Sequence, residues 1–263
     1  LERLAQFICR NMTIWVIVFS AIAFFYPEPF KPVGKYISYM LGIIMLGMGL
    51  TMSFEDFRLV LIRPKDVFYG VFFRYLIMPL VGFGVAKMLG LPPALAAGMV
   101  LLGACPSGTG SSVMTYIAKG DTALSITVSS VNTILAPLLT PYLFLLLAGT
   151  MIPIDVGALF LDIVKIVLIP VAAGVALHTC APRLVERLTK VVPAVSVSFI
   201  IAIIASVVAL NSSKLATMAA ILCVAVAIHN IAGLLLGYYA GRTAGKKKKK
   251  AKAITFEIGM ENS

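Results

Sequence analysis

Near the end of the chain two carboxylates stand four residues apart, in the run Glu257-Ile258-Gly259-Met260-Glu261-Asn262-Ser263. At helical spacing they share a face and repel each other unless a cation or an arginine intervenes. The apolar lead-in Ala253-Ile254-Thr255-Phe256 argues against an interfacial helix with both acids wet. Arg74, set well inside the apolar stretch that starts at Val67, is too deep to snorkel easily and is the natural partner. A second cluster, Pro106-Ser107-Gly108-Thr109-Gly110-Ser111-Ser112, combines helix breakers with hydroxyls. A half-helix starting near Gly110 would aim its N–H groups and positive dipole end into a cavity, an arrangement suited to an anion. A kinked helix with hydroxyls bonded back to carbonyls is the plainer alternative. A third group, Ser125, Ser129 and Asn132, falls at i, i+4, i+7 on one helical face, where oxygens are hard ligands for a cation such as sodium. Serines also sit at helix contacts because they are small. His229 and Asn230 form a further polar pair; a lone histidine there reads first as a helix-contact residue and only then as a proton relay.

These residues need a scaffold, and composition says which. Sixty per cent of the 263 residues are apolar, 13% are charged and the mean hydropathy is +1.00, too little polar surface to cover a water-soluble globule. An all-α polytopic membrane protein follows, since a spanning helix needs roughly 20 mostly apolar residues. The apolar runs place spans at Met12–Phe25, Val33–Met52, Val67–Met88, Leu95–Ala118, Thr122–Leu147, Gly157–Leu177, Val191–Leu210 and Leu215–Tyr239, with a ninth starting near Ala251. The fourth should break at Pro106. With the N-terminus in the cytoplasm, sixteen of the 22 Lys and Arg fall in cytoplasmic connections and four in the opposite set, as the positive-inside rule requires. The net charge of +11 is thereby a matter of topology and not of nucleic-acid binding. Lys246 to Lys250 reads as a solvated loop, with an anionic-lipid contact as the alternative. Cys9, Cys105, Cys180 and Cys223 are scattered and suggest neither a disulfide framework nor a zinc site. No nucleophile–base pair or cofactor motif points to an enzyme.

The stretch Gly103 to Pro141, with its core SGTGSSVMTYIAKGDTALSITVSSVNT, followed by EIGMENS at the end, resembles the bile acid:sodium symporter family, in particular the bacterial homologues of the apical sodium-dependent bile acid transporter. The likeness extends loosely along the chain through Leu76-Ile77-Met78-Pro79 and His229-Asn230. It implies inverted five-helix repeats with discontinuous fourth and ninth helices, arranged as a panel (1–64 and 153–212) and a core (65–152 and 213–263), with the chain stopping inside the ninth helix. It implies a sodium held by Ser111, Ser112, Ser125, Ser129 and Glu257. A second sodium in the family uses the positions of Arg74, Glu261, Ile258 and Met260, and Thr109, Gly110 and Asn262 match positions near the substrate.

The chain departs from the family pattern at Ser112, where relatives often have asparagine, and in a coupled pair. Glu261 stands where relatives carry glutamine, giving EVGMQNS, and Arg74 occupies the partner position. A guanidinium cannot ligate sodium, so an Arg74–Glu261 ion pair is expected to replace the second ion. The expected activity is sodium-coupled import of a small organic anion, pantoate-like or a bile acid, by alternating access. The chain is expected to be a monomer in the bacterial inner membrane, with no cofactor besides the coupling ion and lipid as its other partner. Proton coupling through Glu257 or Glu261, and efflux of an arsenite-type oxyanion past Cys105, are the rival readings.

Overall fold

A computed structural model describes residues 11–53, 60–189, 191–243 and 247–262. Among them the secondary structure is helical, apart from one isolated bridge between Ser107 and Glu261. Six helical stretches are long and apolar enough to cross a membrane, and two shorter apolar helices accompany them, as befits a polytopic membrane protein.

The chain divides into two compact units. The first comprises Leu1–Ser53 and Val164–Ala220. Its described elements are α1 (Met12–Phe25), a 3-10 turn (Lys31–Tyr36) leading into α2 (Ile37–Leu50), a π-helical turn (Val164–Leu168) leading into α8 (Ile169–Cys180), α9 (Pro182–Leu188), α10 (Val192–Leu210) and the first residues of α11 (Ser212–Thr243). Small residues set its packing. A Cβ on Gly49 would lie 2.3 Å from the Val171 carbonyl, so α2 and α8 meet backbone to backbone. Ala23 of α1 is buried against Ala205 and Ala209 of α10 in the same manner. Lipid offers no hydrophobic drive for helix association, so close van der Waals approach of this kind carries the contact.

The second unit comprises Phe54–Ile163 and Ile221–Ser263. It holds α3 (Pro64–Met88), α4 (Pro93–Ala104), α5 (Thr109–Ile117), α6 (Thr122–Ala148), α7 (Val156–Ile163), the rest of α11 and α12 (Lys248–Gly259). Its core is Met78, Leu124, Val128, Ile254 and Ile258, all fully buried. Gly103 of α4 lies so close to α3 that a Cβ would stand 2.3 Å from the Met78 carbonyl.

Four local expectations are refined by the structure. The fourth span is two helices, α4 and α5, separated by Cys105–Gly108. The stretch read as Gly157–Leu177 carries a π turn at Val164–Leu168, directly before Pro170, whose missing N–H cannot continue an α-helical ladder. The stretch read as Leu215–Tyr239 runs 32 residues, from Ser212 to Thr243. Over its described part the lysine run is exposed as far as Lys249 but is not all loop: Lys247 caps α12, Lys248, Lys249 and Lys250 form its first turn, and Lys250 Nζ pairs with Asp66 at 2.6 Å. Lys246 lies outside the described residues.

Candidate functional site

Two helices of the second unit stop where the sequence supplies breakers, and the unwound ends pair with each other. Cys105 leaves α4 in an extended conformation (ψ 154°), Gly108 enters α5 likewise (ψ 153°) and Met260 leaves α12 at ψ 114°. Gly108 N donates to Met260 O at 3.0 Å and Asn262 N to Pro106 O at 2.8 Å, which makes the Ser107–Glu261 pair a single antiparallel bridge. Backbone groups freed by helix breaking must find partners, and here each interrupted segment supplies the other's. Gly108 is required by the approach: a Cβ would come within 2.8 Å of Glu261 O.

The carbonyls at the helix ends are capped by side chains from neighbouring helices. Thr140 donates to Ala104 O (2.7 Å) and Asn230 to Gly259 O (2.9 Å). Arg74, fully buried in α3, donates through Nη2 to Cys105 O (2.5 Å) and through Nη1 to Ile258 O (2.6 Å) and Glu261 Oε1 (3.2 Å). One guanidinium thus faces the C-terminal ends of both α4 and α12, where the helix dipoles favour positive charge. Met260 O is held by Gly108 N, so both carbonyls expected at the second ion position already accept hydrogen bonds. His229 Nε2 stands 3.4 Å from Glu261 Oε1.

Glu257 is the other buried acid of this region, with no exposed surface. Ser111 Oγ from α5 and Ser125 Oγ from α6 both donate to its Oε1. Around them Ser112 Oγ lies 3.2 Å and Thr115 Oγ1 3.3 Å from Ser125 Oγ, and Ser111 Oγ also reaches Gly108 O at 2.7 Å. The result is a cluster of one carboxylate, four hydroxyls and a carbonyl, drawn from three helices. Glu257 Oε2 has no hydrogen-bond partner among the described residues. An oxygen-only cluster with an unsatisfied carboxylate oxygen suits a hard cation.

Of the expected cation set, Ser111, Ser112, Ser125 and Glu257 are brought together. Ser129 lies one turn further along α6, with its hydroxyl 3.5 Å from Ser107 O, and makes no bond to the carboxylate. Asn132 completes that face, donating to Ser107 Oγ at 3.0 Å while its own carbonyl accepts from the Tyr75 hydroxyl. Thr127, Ser130 and Thr133 bond back to carbonyls one turn earlier and belong to the helix, not the cluster. Gly110 is exposed in the first turn of α5, and Asn262 lies in the bridged segment. The Thr109 side chain falls outside the described residues. Sequence reasoning missed Thr115, Thr140 and the capping role of Asn230. Only Thr115 left a signal, being one helical turn from Ser111.

Comparison with known proteins gives this arrangement a lineage. Residues 38–218 match the model of the sodium bile acid symporter family. The chain is 40% identical over 263 residues to a Bacillus subtilis protein named "Uncharacterized sodium-dependent transporter YocS", covering all of this chain and 82% of that protein. It is 34% identical to an Arabidopsis thaliana protein named "Probable sodium/metabolite cotransporter BASS1, chloroplastic" and 34% identical to a rice protein named "Probable sodium/metabolite cotransporter BASS2, chloroplastic". It spans 66% and 63% of those two. The breaks, the carboxylate that the hydroxyls surround and the match over most of the sequence agree: this chain belongs to the sodium bile acid symporter family, a family of sodium-dependent membrane transporters.

Proposed function

We propose that the chain imports a small organic anion, of the pantoate-like carboxylate or bile-acid class, together with sodium. The sodium is cargo, held by Glu257, Ser111, Ser112 and Ser125, with Ser129 closing the set on a small rotation of its hydroxyl. The observation that carries the reading is the buried Glu257 carboxylate, ringed by hydroxyls from two helices and left with one unsatisfied oxygen. The anion binds beside it, at Thr109, Gly110 and Asn262, where the first turn of α5 offers N–H groups and a positive dipole end. The two compact units support a panel-and-core division, and the break between α4 and α5, paired with the extended segment after α12, supports inverted repeats. Transport then proceeds by alternating access, sodium organising the bridged segments before the anion enters. The distribution of Lys and Arg supports a cytoplasmic N-terminus in a bacterial inner membrane, and a monomer suffices, since the cation cluster is built from one chain.

Coupling is to one sodium. The Arg74–Glu261 ion pair at 3.2 Å supports this, as do the occupied carbonyls of Ile258 and Met260. Thermal unfolding of the purified chain in sodium and in potassium tests the cation site. Saturating sodium, at about a hundred times its dissociation constant, should stabilise the native state by roughly 3 kcal/mol, and Glu257→Gln should erase the difference between the two salts. Equal melting of the native chain in both salts would count against the site. Uptake driven by a pH gradient without sodium would replace it with proton coupling.

A further inference from the structure

A second cavity lies at the other end of α5 and α12 from the carboxylate cluster. Tyr116, Ile117, Lys119, Gly120, Thr122 and Lys249 line a space of about 460 Å³. Its walls are chemically divided. Tyr116 and Ile117 are largely exposed apolar groups, at 73% and 65%, and Lys119 and Lys249 are exposed cations. The loop that forms the floor is fastened to the start of α12: Asp121 N donates to Lys249 O (3.0 Å) and Lys252 Nζ to Ala118 O (2.6 Å). Lys119 itself is held at φ 55°, a left-handed conformation that costs a non-glycine residue about 1 kcal/mol or more.

The charges here do not balance. Lys249 lines the cavity with Lys119, Lys247 and Lys248 precede it in the chain, all four are exposed, and among the described residues none of them has a carboxylate partner. The two described acids nearby are already taken, Asp66 by Lys250 and Asp121 by Arg63 at 2.9 Å. Four unpaired cations crowded together repel one another until an anion joins them. An exposed aromatic and an exposed aliphatic side chain next to lysines, at the start of the apolar helix α6, is the amphipathic pattern of a membrane interface.

We propose that this cavity binds the headgroup of an anionic phospholipid, its phosphate on Lys119 and Lys249 and its upper acyl segments against Tyr116 and Ile117. A soluble anion would engage the lysines alone and leave the apolar wall bare. The occupied site ties the α5–α6 loop to the start of α12, the helix that carries Glu257, and so steadies the half-helix on which the cation cluster depends.

The test uses the full chain in phosphatidylcholine nanodiscs doped with increasing phosphatidylglycerol, with the unfolding midpoint as readout. The midpoint should rise with phosphatidylglycerol. Lys119→Gln/Lys249→Gln should weaken the response by roughly fivefold per lysine removed, and Lys119→Arg/Lys249→Arg should preserve it. Removing the same charge elsewhere, by Lys87→Gln/Lys214→Gln, should leave it intact. No rise in the native chain, or a rise that survives the Lys119/Lys249 double glutamine variant, overturns the proposal. So does an equal rise from inorganic phosphate in pure phosphatidylcholine discs, which assigns the cavity to a soluble anion.

Discussion

Arg74 serves three acceptors from two broken helices, and it is the residue whose replacement reads out the ion count. Removing it leaves Glu261 buried against uncapped carbonyls, so Arg74→Gln alone should destabilise by roughly 3 to 5 kcal/mol, the cost of stranding one member of a buried pair. Glu261→Gln alone strands the guanidinium to similar effect. The double variant Arg74→Gln/Glu261→Gln places neutral oxygen-bearing amides at both positions and frees Ile258 O. Its stability should recover towards that of the native chain, and the Hill coefficient for sodium-driven uptake should move from about one to about two. A double variant that transports with the native coefficient would show that the pair does not stand in for an ion. This pairing was legible in the sequence because both residues are rare charges in apolar runs, where each demands a partner. Thr140 and Asn230 were not legible. Their partners, Ala104 O and Gly259 O, are backbone atoms on other helices, and no residue type announces which hydroxyl or amide will cap them.

At the scale of the element, the question is why a helix is interrupted and not merely bent. Pro106 removes one N–H, but a proline alone need not end a helix: Pro79 lies inside the continuous α3 and Pro137 and Pro141 inside the continuous α6. What separates α4 from α5 is the extended segment that follows α12, whose backbone takes up the freed groups at Gly108 and Pro106. Gly108→Ala should therefore break the crossing, because its Cβ would meet the Glu261 carbonyl at 2.8 Å and neither backbone can retreat without losing the bridge. A loss of about 1 to 3 kcal/mol in unfolding free energy is expected from the overpacking, together with loss of sodium-dependent uptake. Gly98→Ala is the matched control. It lies in the interior of α4 with nothing within 4 Å of its added methyl, and should be neutral or stabilising by up to about 1 kcal/mol. Equal damage from both would show that helix propensity and not the crossing decides. The break itself could be read from Pro106, Gly108 and Gly110, whereas the bridging partner 154 residues later in the chain could be reached only through the family resemblance. The π turn before Pro170 had no legible signal at all, since a single proline predicts disturbance but not its form.

For the whole molecule, apolar composition dictates a lipid solvent, and the long apolar helices follow from it. The unit boundaries are another matter. They fall after Ser53, beyond the end of α2, and after Ile163 and Ala220, within continuous helical stretches where no linker, charge run or proline cluster marks them. Contact, not chain composition, defines the units, and contact is invisible in a single sequence. The proposed orientation is a global property that rests on the excess of Lys and Arg on one set of connections. Lys119 and Lys248 belong to that set, while Lys87, at the C-terminal end of α3, belongs to the other. In a background with every native cysteine replaced by serine or alanine, Lys119→Cys should react with a membrane-impermeant maleimide only after the cells are opened. Lys87→Cys should react in intact cells. Because the two positions lie on opposite connections of the same unit, the pair of results fixes the direction of every helix between and beside them. The reverse pattern would turn the molecule over and place the lysine-lined cavity on the outer leaflet. Labelling of both in intact cells would mean that α4 and α5, the two short helices between these positions, do not together cross the bilayer, although α3 and α6 on either side are each long enough to do so, since 25 and 27 residues at 1.5 Å per residue exceed the roughly 30 Å of hydrocarbon.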